Sequence, residues 1–107
     1  MSIKNLNCFF NPKTIAVIGA SEREGSLGAR ILNNLIESYQ GLVFPVNPFR
    51  QTIQGITAYP SVDRVPSKLD LAIIATPAHT IPQIVEECGK AGVQSIIIVS
   101  AGLNEKD

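Results

Sequence analysis

Four short runs of consecutive apolar residues constrain this chain more than any other feature. They are Ile15-Ala16-Val17-Ile18, Leu42-Val43-Phe44-Pro45-Val46, Leu71-Ala72-Ile73-Ile74-Ala75 and Ile96-Ile97-Ile98-Val99. None alternates apolar with polar residues, so each reads as a strand covered on both faces. That is the habit of parallel sheets flanked by helices. Between the first two runs, Leu27, Ile31, Leu35 and Tyr39 recur every four residues, and Leu32 and Ile36 widen the stripe. Ser26 suits the start of that helix and Gly41 its end. Between the last two runs, Ile81, Ile84, Val85 and Cys88 share one helical face. Thr80 is the expected cap there, Pro82 is tolerable in the first turn, and Gly92 ends the helix. Cys88 falls within the apolar stripe and reads as a core residue rather than a reactive thiol. Gly55, Pro60 and Pro66 punctuate the segment from Pro48 to Asp70, which predicts short turns with at most one helical turn.

The order β-α-β-x-β-α-β predicts an α/β, Rossmann-like open parallel sheet with helices on both faces. Counting the runs in sequence, the expected strand order is 3-2-1-4. That order reverses between the first and fourth strands and opens a crevice at their carboxyl ends, where ligands bind in such sheets.

At 107 residues there is room for one domain. Nine basic residues balance nine acidic ones and there is no tryptophan. Such a chain has neither the basic field nor the stacking platforms of a nucleic-acid binder, and no charge that would draw it to an anionic membrane. Cys8, Cys88 and His79 are too few for a disulfide framework or a multi-ligand metal site. The first ten residues do not form a targeting signal, and no apolar stretch approaches the roughly 20 residues of a membrane span. The expectation is a soluble, cytoplasmic chain.

The strand ends carry the functional reading. After the first run, Gly19, Gly25 and Gly28 lie in a turn that leads to a helix N-terminus, a natural cradle for phosphate. The spacing G-x5-G-x2-G is longer than the dinucleotide fingerprint. After the second run comes Val46-Asn47-Pro48-Phe49-Arg50. A site for NAD wants an acidic residue here for the ribose diol, and none occurs between Glu37 and Asp63. Arg50 suits instead a phosphorylated ribose, as in NADP or coenzyme A. After the third run, Thr76-Pro77-Ala78 is small and stiff, and His79 has nothing positioned to orient it and reads as a capping or surface residue. After the fourth, Ser100-Ala101-Gly102 offers backbone groups. There is no nucleophile with a base partner and no P-loop, so the chain looks built to hold a phosphorylated ligand rather than to transform it.

At these residues the sequence resembles the CoA-binding domain of NDP-forming, including ADP-forming, acyl-CoA synthetases. That domain is similar to the N-terminal domain of the succinyl-CoA synthetase α subunit, and it also occurs in synthetase-like bacterial protein lysine acetyltransferases. The matching stretches are FFNPKTIAVIGAS at 9–21, GSLG at 25–28, VFPVNP at 43–48, Gly55 with Tyr59-Pro60, LDLAIIATPA at 69–78 and IIIVSAG at 96–102. The resemblance implies that Gly19 to Gly28 take the CoA phosphates, with Ser21, Ser26 and Leu27 as contacts. It implies that Val46, Asn47, Pro48 and Arg50 receive the adenosine part. The pantetheine arm would pass Thr76, Pro77 and Ala78 and then Ser100, Ala101 and Gly102. The implied function is binding of coenzyme A or acyl-CoA as the N-terminal module of an acid–CoA ligase or a related acetyltransferase. An NADP-binding reductase fragment and a non-catalytic interaction domain are the alternatives.

In that family the fold continues beyond a fourth strand, and a following domain carries a histidine that is phosphorylated during the reaction. His79 does not occupy its place, so these residues alone are not expected to be catalytically active. Residues 1–107 are expected to form a CoA-binding domain truncated at its C-terminal end. The implied partners are further domains of a longer polypeptide or an ATP-grasp subunit. Ile96 to Val99 would present apolar groups on both faces of an edge strand, which also predicts association through that edge.

Overall fold

The computed structural model describes residues 11–99. Each apolar run became a strand: β1 at Thr14–Ile18, β2 at Leu42–Val46, β5 at Leu71–Ile74 and β6 at Ser95–Ile98. Helix α1 spans Leu27–Ser38 and helix α2 spans Ile81–Lys90. The four strands form one parallel sheet, with Ala16 opposite Phe44 on one side and Ala72 on the other, and Ala72 opposite Ile96. Both faces are covered, which explains why the runs do not alternate. Ile15 and Val17 pack with Leu32 of α1, and Ile53, Ala58 and Leu71 complete that cluster. Ala16 and Ile18 pack with Ala72, Ile74 and Cys88 of α2 on the opposite face. No described helix is long and apolar enough to cross a membrane.

The α/β, Rossmann-like architecture is present, but the strand order differs from expectation. The observed order is β2-β1-β5-β6. Numbered by the four apolar runs this is 2-1-3-4, not 3-2-1-4. The reason lies on the outer edge of β2. Tyr59 forms an isolated parallel bridge with Val46: its N–H donates to the Pro45 carbonyl at 3.0 Å, and its carbonyl accepts from Asn47 N–H at 2.9 Å. The backbone nitrogen of Pro45 faces the same side as that carbonyl and has no proton to give, so a long ladder cannot form there. The Leu71 strand instead pairs with the far side of β1. The switch point of the sheet therefore falls between β1 and β5.

The connection between β2 and β5 holds a device the sequence reading missed. Thr52–Ile53 (β3) and Ile56–Thr57 (β4) make a two-stranded antiparallel hairpin. Its two-residue turn is Gln54 at φ 52° and Gly55 at φ 80°, the double left-handed geometry of the tight hairpin turn that matches strand twist. A single 3-10 turn at Val62–Arg64 follows, in keeping with the expected helical turn.

Ser26 caps α1 as expected, its Oγ accepting from Ala29 N–H at 3.2 Å. Thr80 does not cap α2. Its hydroxyl donates to the Pro77 carbonyl at 2.6 Å and lies 2.8 Å from Thr76 Oγ1, closing the turn after β5 instead. Gly89 lies within α2 with open space where a Cβ would stand. Gly89→Ala is therefore expected to raise stability by about 0.4–1 kcal/mol, through lost freedom in the unfolded chain, and a thermal melt checks it.

Cys88 is fully buried in the sheet–α2 layer. Burial pushes its thiol from 9.0 up to about 11, with the Glu87 carboxylate adding to the effect. The folded state thus keeps a proton that the unfolded chain gives up more readily. The resulting stability is fully present below about pH 9 and is lost as pH rises through about 11. Denaturant melts at about pH 8 and about pH 10 should show that alkaline loss, and Cys88→Ala should flatten the slope.

Candidate functional site

The site begins with the turn after β1, which squeezes between its neighbours. Gly19 has φ +96°, and a Cβ there would stand 2.6 Å from the Ala75 carbonyl oxygen. Its N–H donates to the Val46 carbonyl at 3.1 Å, while Ala75 N–H donates to Ile18 at 2.8 Å. The chain can thus leave β1 between β2 and β5 only with glycine at position 19. Gly28 serves the same junction from the helix side. A Cβ on it would lie 2.0 Å from the Gly19 carbonyl oxygen, so α1 packs backbone to backbone on the turn. No acidic side chain stands in the first turn of α1, which leaves its N-terminal partial charge available to an anion.

Asn47 ties this turn to the end of β2. Its side-chain amide donates to the Ala20 carbonyl at 2.9 Å, and its Oδ1 accepts from Phe49 N–H at 2.7 Å. A second tie runs through Glu22. Its carboxylate accepts from Gln54 N–H at 2.7 Å and pairs with Arg50 at 3.9 Å. The hairpin, the β2 exit and the β1 turn are thereby held to one another.

A cavity of about 460 Å³ opens at the carboxyl ends of β1, β2 and β5. It brings together seven of the residues singled out from sequence: Gly19 and Ser21 from the β1 turn, Val46, Asn47 and Pro48 from the β2 exit, and Thr76 and Pro77 after β5. Gly25, Ser26, Leu27 and Gly28 sit beyond it, in the later part of the turn and at the start of α1. Arg50 and Ala78 also lie outside its lining. Ser100, Ala101 and Gly102 lie outside the described residues. The Ser21 hydroxyl is engaged by its own backbone, accepting from Arg23 N–H at 2.9 Å. As with Ser26 Oγ, accepting that bond leaves the hydroxyl proton able to donate, so both serines and the loop's backbone N–H groups have the chemistry to contact a phosphate.

Sequence reasoning missed part of the wall. Ile18, Val62 and Ile84 give it an apolar floor, while Phe49 and Pro60 border it. The available signal was the helical spacing of Ile84 and Glu87, which places both on the crevice side of α2. Among the described residues Glu87 is the one charged residue lining the cavity, and its carboxylate accepts from Gln83 Nε2 at 3.3 Å. His79 is exposed in a 3-10 turn and does not line the cavity. No group of three or more His, Cys, Asp or Glu among the described residues could hold a metal ion. The arrangement is a mostly apolar slot beside a helix N-terminus and one arginine. It suits a ligand with a flat or aliphatic body and phosphate groups.

Comparison with known proteins agrees with that shape. A family model described as a CoA binding domain matches residues 13–106. The ADP-forming acetate–CoA ligase I of Archaeoglobus fulgidus is 47% identical over 96 residues, covering 90% of this chain and 14% of its own length. The ADP-forming 4-hydroxybutyrate–CoA ligase of Nitrosopumilus maritimus is 43% identical over 97 residues, covering 91% and 14%. Among solved structures, the dinucleotide-forming acetyl-coenzyme A synthetase 1 of Candidatus Korarchaeum cryptofilum, in complex with phosphate and ADP, superposes with a TM-score of 0.88 at 37% identity. That match covers 94% of this chain and 22% of the synthetase. The chain thus spans less than a quarter of the length of these relatives.

Proposed function

We propose, from the premise that this chain belongs to the CoA binding domain family, that it binds coenzyme A or acyl-CoA as the CoA-holding module of an ADP-forming acyl-CoA synthetase. The observation that carries this reading is the cavity at the β1–β5 switch point, flanked by the glycine turn and by the N-terminal partial charge of α1, whose first turn holds no acidic residue. In it the pyrophosphate lies against the backbone of residues 19–28. The adenosine enters at Val46, Asn47 and Pro48, and its ribose 3′-phosphate meets Arg50. The pantetheine arm runs out past Thr76 and Pro77.

On this reading the module presents the thiol and does not make the acyl phosphate. That step falls to other parts of the ligase, either further domains or an ATP-grasp subunit, which fits the greater length of the relatives. The ligase names of those relatives favour an acid–CoA ligase over an acetyltransferase parent. The family match favours CoA over NADP, while the lack of an acidic residue at the β2 exit speaks only against NAD.

Titration calorimetry with CoA, acetyl-CoA and NADPH tests the reading. Saturable heat with the two CoA species and none with NADPH is the expected result. Binding of NADPH at comparable affinity, or no heat with CoA, would overturn it.

A further inference from the structure

Phe49 stands at the rim of the cavity and is 90% exposed, more than any other large apolar residue described. A lone exposed phenylalanine is ordinary on a protein surface, but this one is held in a particular place. Its N–H is fixed by Asn47 Oδ1, and the same Asn47 is anchored to Ala20 in the β1 turn. The preceding Pro48 has a locked φ. Below the ring, the slot is walled by Ile18, Val46, Pro48, Pro60 and Val62. Next to it, Arg50 marks where a ribose phosphate would be held.

An apolar slot with one unpartnered aromatic ring at its mouth, beside a cation, matches a purine nucleotide better than an aliphatic arm. A flat heterocycle can cover the ring and shed water from both surfaces. We propose that Phe49 supplies the aromatic face on which the adenine of CoA stacks, closing the slot over the base. The inference rests on the CoA reading above and deepens it by naming a residue that selects for the nucleotide half of the ligand.

The test compares CoA with 4′-phosphopantetheine, which lacks the base. Phe49→Ala is expected to weaken CoA about fivefold and to leave 4′-phosphopantetheine unchanged, because aromatic–base stacking is lost with the ring alone. Since the side chain is exposed, the thermal melt of this variant should match the parent. The chain contains no tryptophan, so Phe49→Trp installs a single indole. It should retain CoA binding, with its emission quenched by CoA and not by 4′-phosphopantetheine. Equal CoA affinity in Phe49→Ala and the parent, or an equal loss for both ligands, would overturn the stacking role alone. Failure of the parent to bind CoA would overturn the CoA reading on which it rests.

Discussion

Gly28→Ala is expected to lower stability by about 3 kcal/mol or more, at or beyond the upper end of ordinary overpacking. The added methyl would meet the Gly19 carbonyl oxygen at 2.0 Å and its carbon at 2.9 Å. Both are backbone atoms, and the Gly19 turn cannot step aside. Its N–H is bonded to Val46, and Ala75 crowds its other side. The strain must instead lift α1 from the sheet, which uncovers the fully buried Leu32. For a domain of this size the melting temperature should fall by roughly 10–20 °C. On the CoA reading the phosphate-holding turn moves with the helix, so CoA should stabilise the variant less than the parent. A melt within about 2 °C of the parent would contradict the packing described.

On the CoA reading, Arg50→Ala is expected to weaken CoA roughly ten- to thirtyfold at low salt while leaving 3′-dephospho-CoA unchanged. That range reflects a charge-assisted contact discounted for its exposure. The side chain is 57% exposed, so the difference should shrink as ionic strength rises. Glu22 refines the prediction. Its carboxylate now shares Arg50 and would face an incoming phosphate as a like charge. Glu22→Gln should therefore tighten CoA more than 3′-dephospho-CoA, which keeps the pyrophosphate near the same loop, and the amide oxygen can still accept from Gln54 N–H. Parallel calorimetric titrations of the two ligands read both effects. Equal losses with and without the 3′-phosphate would remove the assigned role.

Much of this architecture was legible in the sequence because burial on both faces leaves a plain mark. The four apolar runs, the α1 stripe with its Ser26 cap and the core position of Cys88 all followed from periodicity and local chemistry. The strand order did not, although its cause was in view. Pro45 lies inside an apolar run and reads there as one more hydrophobic residue; its missing N–H acquires meaning only once the neighbour on that side is known. The hairpin at Gln54-Gly55 was hidden because its strands have two residues each, too few to show alternation. The turn residues of the site were visible as glycines and prolines next to buried strands. The cavity floor was not, since Ile84 and Glu87 reach it from a helix distant in sequence, and Phe49 carries no pattern at all.

Pro45 also governs how this sheet can grow. A strand arriving beside β2 meets a flank already bridged by Tyr59 and interrupted by a residue that cannot donate. Beyond β6, where Ile98 is 51% exposed, no such block stands among the described residues. Extension of the sheet is therefore directional: among the described strands, an added strand, from the same polypeptide or another, finds its open flank at β6.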